Sequence, residues 1–449
     1  MKAECSCRRA RIAIAASEYS FNARLSCANT NMLIFILRIR PLAGSLILLL
    51  GLSSSVIGQT SSVRIATFNA ALNRCLDGRS NPCLDGGLSQ VLSDGDFRPA
   101  RQIAEILQRV RPDVVLLNEF NFDSNETSAD LFQQNYLSVS QNNSRLAIGG
   151  EPIEYPYRYL AESNTGIHSG FDLNNDGQID NSPGDGAYAN DAFGFGEFAG
   201  RYGMMVLSRF PIELDQVRTF QEFLWKDMPD ALLPDDLNTN AENDWYSDEE
   251  LSVMRLSSKS HWDIPIAIGD QTIHLLASHP TPPVFDGPED RNGRRNHDEI
   301  RLWADYISGD SANYLIDDLG RTGGLEEDAS FIIAGDLNAD PARGDSIRQT
   351  MDQLLAHPKI NSQITPVDST GSDITSSFGL RVDYVLPSND LTVFESGIFF
   401  PDLRDPLRRL ATASDHRLVW IDVVVPEPSG CLLPIVGFLA FVGCQRKRR

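Results

Sequence analysis

The chain has 449 residues, 42% of them hydrophobic, with 61 acidic and 39 basic side chains and a net charge of −22. This length and apolar content allow a large buried core, organised as one large domain or two to three ordinary ones. A strongly acidic protein repels polyanions, so the composition argues against an extended nucleic-acid groove and fits a small phosphorylated ligand at least as well.

The first 58 residues have the features of an export leader. Arg38 and Arg40 precede the apolar run LILLLGL at residues 46–52, and the small-residue segment VIG follows at residues 56–58. This is the n-region, h-region and cleavage pattern of a secretory signal. We therefore predict that residues 1–58 are a leader and signal, cleaved after about Gly58, with Met32 as an alternative start. A transmembrane anchor is the alternative, but the apolar run is short for one.

Next, two predicted strands end in polar side chains. Segment 64–69 (RIATFN) ends in Asn69, and segment 113–119 (DVVLLNE) ends in Glu119, with a predicted helix over residues 98–109 between them. Cys75 and Cys83 are the only cysteines outside the two terminal segments. In an exported protein such a pair predicts a disulfide, here closing the loop after Asn69.

Residues 123–198 are polar, rich in Gly, Asn and Asp, and show little periodicity, which predicts a functional insertion. Within it the segment DLNNDGQID resembles the front of an EF-hand calcium loop, although position 12 is Pro183 rather than Glu. A complete EF-hand is thus excluded. We expect a partial, structural calcium loop, with a solvated turn as the alternative. Its oxygen ligands would be Asp172, Asn174, Asp176 and Asp180.

Two groups of cations in this acidic chain are candidates for binding a phosphate. Arg255 and Lys259 lie in an otherwise acidic region and are candidates for holding a non-reacting phosphate, with surface solvation as the alternative. The segment at residues 289–299 follows a predicted strand and would supply local positive potential. Its candidate substrate-binding residues are Arg294, Arg295 and His297.

Three further predicted strands carry groups suited to phosphate chemistry. The strand at 273–279 ends in His279, and FIIAGDLNADP at 331–341 places Asp336 and Asn338 on the same side of a strand end. A carboxylate can handle a metal or a proton while a neutral amide donates to an oxygen, although an Asp/Asn turn is the alternative reading. The remaining strands, RVDYVL at 381–386 and SDHRLV at 414–419, contribute Asp383, Asp415 and His416.

The carboxyl end contains PEPS, an apolar stretch at residues 430–444 and the basic tail QRKRR. Residues 426–449 resemble a PEP-CTERM sorting signal, which implies processing by an exosortase-type enzyme after a signal peptidase has removed the leader. An ordinary C-terminal anchor is the alternative. Either reading predicts an exported protein, extracellular or at the cell surface or outer envelope of a Gram-negative-type bacterium.

Taken in order, the six strand-end motifs resemble the endonuclease/exonuclease/phosphatase superfamily, and His279 resembles the second histidine of its deoxyribonuclease-like branch. The resemblance implies one α/β catalytic domain at residues 59–425. Its fold would be a two-layer β-sandwich of mostly antiparallel sheets flanked by helices, in four layers α/β/β/α. It also implies a Mg²⁺ or Mn²⁺ site at Asn69, Glu119 and Asp415. Catalytic roles are implied for His279, Asp336, Asn338, Asp383, Asp415 and His416.

No Gly-x-Ser-x-Gly segment or nucleophilic cysteine is present, so water is the expected nucleophile. The leading expectation is an exported metal-dependent phosphoesterase that hydrolyses phosphodiester bonds in a nuclease-like manner, on a nucleic acid or a small-molecule or lipid substrate. A lipid or small-molecule phosphatase is the alternative within the enzyme class. A non-catalytic surface or matrix binding protein is the alternative outside it.

Overall fold

The computed structural model describes residues 61–73 and 86–425. The predicted leader, the predicted sorting segment and the Cys75–Cys83 pair lie outside these residues. Within them, none of the helices has the length and apolar composition needed to cross a membrane.

Eleven strands occur in the described residues and form two sheets. The six-stranded sheet has the order β10-β11-β1-β2-β4-β3 and the five-stranded sheet the order β5-β6-β7-β8-β9. Only the pairs β1/β2 and β7/β8 are parallel among these ladders. The strands are β1 (Ser61–Leu72), β2 (Val114–Phe120), β3 (Tyr157–Tyr159), β4 (Met204–Ser208), β5 (Arg218–Thr219), β6 (His261–Ile268), β7 (Gln271–Ser278), β8 (Ser330–Asp336), β9 (Asp383–Pro387), β10 (Thr392–Ile398) and β11 (Val419–Val425).

Seven α-helices connect or cover these strands within the described residues, and α2 and α6 are the longest. A π-helical turn, Gln133–Leu137, continues α3, and a 3-10 segment, Pro406–Thr412, precedes β11. The helices are α1 (Gly87–Leu92), α2 (Arg98–Val110), α3 (Thr127–Phe132), α4 (Gly186–Asn190), α5 (Asp248–Leu251), α6 (Arg291–Ile307) and α7 (Asp352–Leu355).

The two sheets pack face to face, and helices cover their outer faces. Along β2, Val114 and Leu116 enter the core between the sheets, whereas Val115 and Leu117 enter the outer core beneath α2. This alternation follows from the two-residue period of a strand. Strand β8 is buried in the same way on both faces, with α6 on its outer side. The predicted four-layer α/β/β/α sandwich with mostly antiparallel sheets is therefore confirmed.

The predicted insertion at residues 123–198 is not a uniform loop. Its first part contains α3, the π-helical turn and β3, which pairs with β4 at the edge of the sheet. Phe132, Tyr136 and Tyr155 are buried in the core beneath α2. Because α3 is short and continues as a π-helical turn, the apolar residues of this segment do not keep the regular spacing of an α-helix. The polar loop that the sequence predicted for the whole insertion is found only in the residues after β3.

Helix α6 begins at Arg291, inside the segment at residues 289–299 for which the sequence predicted a local positive potential. The first turns of α6 are rich in charged and polar residues, yet Arg295, Asn296, Asp298 and Glu299 are buried. A charged segment predicts a solvated surface. Here the charges are satisfied by distant backbone groups, which the local pattern does not reveal.

Gly335 is required by a close approach between two strands. A Cβ atom at this position would lie 2.1 Å from the backbone oxygen of Ser278 on the parallel neighbour β7. That oxygen belongs to a rigid ladder and cannot move aside easily. The glycine therefore lets β7 and β8 pair closely just before Asp336.

We expect Gly335→Ala to lower the free energy of unfolding by about 2–4 kcal/mol, because the added methyl group forces β7 and β8 apart. Gly186→Ala is the matched control, since no atom lies within 4 Å of its Cβ position. Urea unfolding of both variants measures the difference. Equal stabilities would show that the strand ladder tolerates the methyl group.

Candidate active site

The candidate site forms where parallel strands from both sheets end. Asn69 on β1 pairs with Asn118 on β2, and Ser278 on β7 pairs with Gly335 on β8. Asn118 joins the sheets, because its Oδ1 accepts from Asp336 N at 3.2 Å and its Nδ2 donates to Ser278 O at 3.4 Å. This side-chain bridge brings polar groups that are far apart in sequence to one rim.

Asn69 holds two carboxylates together. Its Nδ2 donates to Glu119 Oε1 and to Asp336 Oδ2, both at 3.0 Å, while its Oδ1 accepts from Ala71 N at 3.2 Å. The side chain is fully buried. The amide nitrogen thus reduces repulsion between Glu119 and Asp336.

Asp336 is the centre of the cluster. Its Oδ2 lies 3.5 Å from His279 Nε2 and 3.6 Å from His416 Nε2. Burial acts to raise the pKa of Asp336, but the charge of His416 and the hydrogen bonds from His279 and Asn69 outweigh it and hold the pKa well below its usual range. Asp336 is therefore ionised at neutral pH although it is buried.

His416 contacts carboxylates through both ring nitrogens. Its Nδ1 lies 2.9 Å from Asp383 Oδ2, and its Nε2 faces Asp336. Burial opposes its protonation, but Asp383 and Asp336 raise the pKa of His416 to about 10. Burial raises the pKa of Asp383 to about 6 against the opposing charge of His416. The pair is consequently an ion pair at neutral pH, with His416 as the cation.

His279 has the opposite electrostatic character. Burial, together with the charge of Lys259, lowers its pKa despite the contact with Asp336. Its Nδ1 is buried and has no hydrogen-bond partner among the described residues. His279 is therefore a neutral imidazole held beside Asp336.

Lys259 reaches the same region from the segment before β6. It is 6% exposed, and burial lowers its pKa although Glu299, Glu119 and Asp336 favour the charged form. The polar loop after β3 fixes its backbone, because Asn164 N donates to Lys259 O at 2.8 Å. A Cβ atom on Gly194 of this loop would lie 1.8 Å from Ser258 O, so only glycine permits the contact.

Glu119 and its neighbours offer hard oxygen ligands. Glu119 lies in the left-handed region with φ 58°, and Asn73 Nδ2 donates to its Oε2. Asn73 Oδ1 is buried without a hydrogen-bond partner in the described part of the chain. An orphaned carbonyl oxygen beside a carboxylate fits a divalent cation such as Mg²⁺. Ser414 Oγ donates to Asn69 O at 2.7 Å, and Asp415 follows Ser414 in the chain.

A second group of possible ligands overlaps the predicted catalytic residues. Among the described residues, one group of at least three His, Cys, Asp or Glu side chains has ligand atoms within 4.8 Å of one another, namely Asp336, Asp383 and His416. Since Asp336 and Asp383 already neutralise His416 here, the oxygens around Glu119 suit a cation better. Asn338, by contrast, donates through Nδ2 to Pro280 O at 3.0 Å and so fixes the loop after β7.

The structure separates the predicted substrate-binding cations. Lys259 and Arg295 line one cavity with Glu119 and His279, but Arg295 donates to the backbone oxygens of Leu256, Phe193 and Arg255. The other three make structural contacts elsewhere, so the predicted cationic patch at residues 289–299 is absent as such. Arg255 contacts Asn164, Arg294 contacts Leu233 and Asp235, and His297 contacts Asp298.

The predicted calcium loop folds as a series of turns held by its own backbone. Asp172 accepts from the N–H groups of Asp176 and Gly177, and Asp176 accepts from Gln178 N. Asn174 donates to Asp176, and Asp180 accepts from Ser182 N. These exposed oxygens are therefore arranged by Asx-type hydrogen bonds. Calcium binding there stays a prediction.

Sequence reasoning missed several residues of the site. Asn73 and Asn118 are amides without a motif of their own, and Thr375 Oγ1 accepts from Asp383 N at 3.0 Å. Phe378 is 55% exposed, and its ring lies edge-on to His416 with centroids 5.6 Å apart. Its position between Ser377 and Gly379, shortly before Asp383, was the one available signal.

The cavity beside Glu119, Lys259 and His279 has a volume of about 520 Å³. Its other walls are largely apolar, and two exposed aromatic residues border it, Phe195 and Phe285. We call it the apolar cavity. It can accommodate an organic group attached to a phosphate that lies against the polar residues.

Comparisons with known proteins identify the family of this arrangement. The sequence profile described as the endonuclease/exonuclease/phosphatase family matches residues 66–416. No curated protein is significantly similar to the chain. An endonuclease/exonuclease/phosphatase structure from Beutenbergia cavernae is 16% identical, covering 81% of this chain and 72% of its own, with a TM-score of 0.45. Sphingomyelinase C from Streptomyces griseocarneus is 18% identical, covering 81% and 99%, with a TM-score of 0.39.

Replacing Asp336 tests the electrostatics of the cluster. In Asp336→Asn without added metal, we expect the pKa of His416 to fall by about 1 to 3, because one of its two neighbouring anions is gone. Titration of the histidine ring signals by NMR measures the change. His357, which contacts Ser308 rather than the cluster, is the internal control. An unchanged His416 titration would show that Asp336 does not stabilise the cation.

Proposed function

The chain belongs to the endonuclease/exonuclease/phosphatase family, whose members are metal-dependent phosphoester hydrolases, and from this premise we propose that it hydrolyses phosphodiester bonds. The observation that carries the proposal is the position of the ionised Asp336 carboxylate between His279 and His416. A water molecule would attack phosphorus in line with the departing ester oxygen. His279, which resembles the second histidine of the deoxyribonuclease-like branch, favours a nuclease-like diesterase.

The two histidines divide the work because their environments differ. His416 is the cation and stabilises negative charge on the phosphoryl oxygens, while Asp383 fixes its orientation through Nδ1. His279 is neutral, and its imidazole would exchange a proton with the attacking water or the leaving oxygen. Asp336 keeps Nε2 of both rings directed toward one point, and Asn338 shapes the adjoining loop.

Glu119, Asn69 and Asp415 would hold Mg²⁺ or Mn²⁺, and Asn73 offers a further oxygen. The bound cation supplies charge neutralisation at the phosphoryl oxygens and polarises the bond to phosphorus. Calcium at Asp172, Asn174, Asp176 and Asp180 would be structural, holding the loop after β3.

A lipid or small-molecule phosphatase is the second candidate. The apolar cavity supports it, since its walls suit an organic group better than a hydrated polyanion. The net charge of −22 also disfavours long nucleic acids. A non-catalytic binding protein is less well supported, because such a role gives no reason for a buried carboxylate between two histidines of opposite charge state.

We expect the purified full-length protein to hydrolyse bis(4-nitrophenyl) phosphate with Mg²⁺ or Mn²⁺, and 4-nitrophenyl phosphate more slowly. His279→Ala and His416→Ala should each lower kcat about 100-fold or more, because each removes a group that acts in the transition state. Glu119→Gln should raise the metal concentration needed for activity.

His357→Ala is the matched control for these variants, since its ring contacts Ser308 away from the site. Circular dichroism establishes that each variant is folded. Full diesterase activity in folded His416→Ala would overturn the proposed role of the cluster. A preference for the monoester would instead select the phosphatase alternative.

We also propose that the protein is exported and processed at both ends, with a signal peptidase and an exosortase-type enzyme as partners. The support comes from the apolar run before Gly58 and from the Pro-Glu-Pro motif with its basic tail. Its location would be extracellular or at the cell surface or outer envelope.

Mass spectrometry of the exported protein tests this directly. We expect a mature chain without residues 46–58 and without residues 428–449, because both segments would be removed during export. A replacement of the Pro-Glu-Pro motif by Ala-Ala-Ala serves as the control and should retain the tail. An intact basic tail on the exported unaltered protein would contradict the sorting interpretation.

A further inference from the structure

A second cavity, of about 580 Å³, is bordered by the segment that carries His416. Ser414, Asp415 and Arg417 line it, whereas Glu119 and His279 line the apolar cavity. The second cavity is therefore lined by the residues on either side of His416 in the chain, whereas His279 lines the apolar cavity itself. This places the second cavity beside the segment that would contact a substrate at His416.

Two arginines meet on one aromatic ring in this second cavity. The guanidinium carbon of Arg408 lies 3.5 Å from the centroid of Phe400, and that of Arg417 lies 4.2 Å from it. Arg408 donates to Pro401 O and Arg417 to His416 O, so backbone oxygens fix both side chains. Neither guanidinium forms a salt bridge with a carboxylate of the described residues.

The two guanidinium groups are close enough to repel each other. Apart from their bonds to the backbone oxygens of Pro401, Ser414 and His416, the N–H donors of both side chains have no partner among the described residues. Two cations that are fixed against one ring in a cavity wall favour an anion that can accept hydrogen bonds from both of them. Geometry and electrostatics thus indicate the same kind of ligand.

Three carboxylates lie near these arginines, and one of them, Asp383, is already paired with His416. Asp415 lies in the wall of the cavity, but it is also one of the proposed metal ligands, and a bound cation would neutralise it. Asp368, which senses the charge of Arg408, already accepts from Thr370 Oγ1 and Ser372 N. The arginines therefore remain the dominant charges available to a ligand.

We propose that this cavity, the arginine pocket, binds a second phosphate of the substrate, next to the one that is cleaved. The proposal rests on the proposed phosphodiesterase function and specifies its substrate class. Arginine guanidinium groups match phosphate oxygens in geometry and charge. The preferred substrates are short phosphodiesters that carry another phosphate on the neighbouring group, whether that group is a nucleoside or a phosphorylated polyol.

Two matched substrate pairs test the pocket. The 4-nitrophenyl ester of thymidine 5′-phosphate is compared with the same ester carrying an additional 3′-phosphate, and glycerophosphoinositol with glycerophosphoinositol 4-phosphate. We expect the added phosphate to lower KM by about 10-fold in at least one pair, since charge-assisted hydrogen bonds to arginine form only with it. The pair that responds identifies the source of the second phosphate.

Arg408→Gln should remove this advantage and bring the two KM values of the responding pair together. Arg409→Gln is the matched control, because Arg409 is the exposed neighbour and does not line the pocket, so its KM values should match those of the unaltered protein. Competition by thymidine 3′,5′-bisphosphate and by thymidine 5′-phosphate provides a second measurement. The bisphosphate should inhibit more strongly, and Arg408→Gln should abolish the difference.

The outcomes separate this proposal from the proposed function. Equal KM values within both pairs, or an advantage that survives in Arg408→Gln, would overturn the arginine pocket while leaving diesterase activity established. Failure to hydrolyse any diester would overturn the proposed function. In that case direct calorimetric binding of thymidine 3′,5′-bisphosphate still decides the pocket, since loss of binding in Arg408→Gln supports it and unchanged binding refutes it.

Discussion

A buried, ionised Asp336 is the constraint on which the site depends. An isolated carboxylate in a protein interior would take up a proton, because its desolvation is costly. Here Asn69, His279 and His416 compensate the charge at distances of 3.0–3.6 Å. These three residues come from distant segments, so the compensation exists only when both sheets are packed and their strand ends are aligned. Folding and the charge state of the site are thereby coupled.

The two histidines that contact this anion have opposite charge states. His416 also contacts Asp383 and becomes a cation, whereas His279 is buried near Lys259 and stays neutral. The difference in charge comes from Asp383 beside one ring and Lys259 near the other. The distance to Asp336 is nearly the same for both rings. A proton donor or charge stabiliser and a proton acceptor can thus coexist within one cluster at neutral pH.

The sequence predicted what is encoded locally. Apolar runs ending in Asn69, Glu119, His279 and Asp336 predicted buried strands with polar ends, and the family motifs placed Asp383 and His416 beside them. The contacts of the cations were predicted poorly. Arg295, for example, donates to the backbone oxygens of residues 193, 255 and 256 rather than standing free to bind a phosphate. The same long-range contacts explain why the charged first turns of α6 are buried rather than solvated. Arg408 and Arg417 carried no motif, and only Phe400, brought close by the fold, reveals that they belong together.

The net negative charge of the protein and the cations of its site together support the proposal of a short substrate. A net charge of −22 produces a repulsive field, but screening limits its range to about 8 Å at physiological ionic strength. Lys259, Arg408 and Arg417 act within contact distance, where screening is weak. In the proposed function, a small phosphodiester would meet mainly these cations, whereas a long polyanion would also extend into the repulsive field of the whole protein. The unfavourable energy would grow with substrate length while the favourable contacts would not, which is why we propose a substrate that ends within the two cavities.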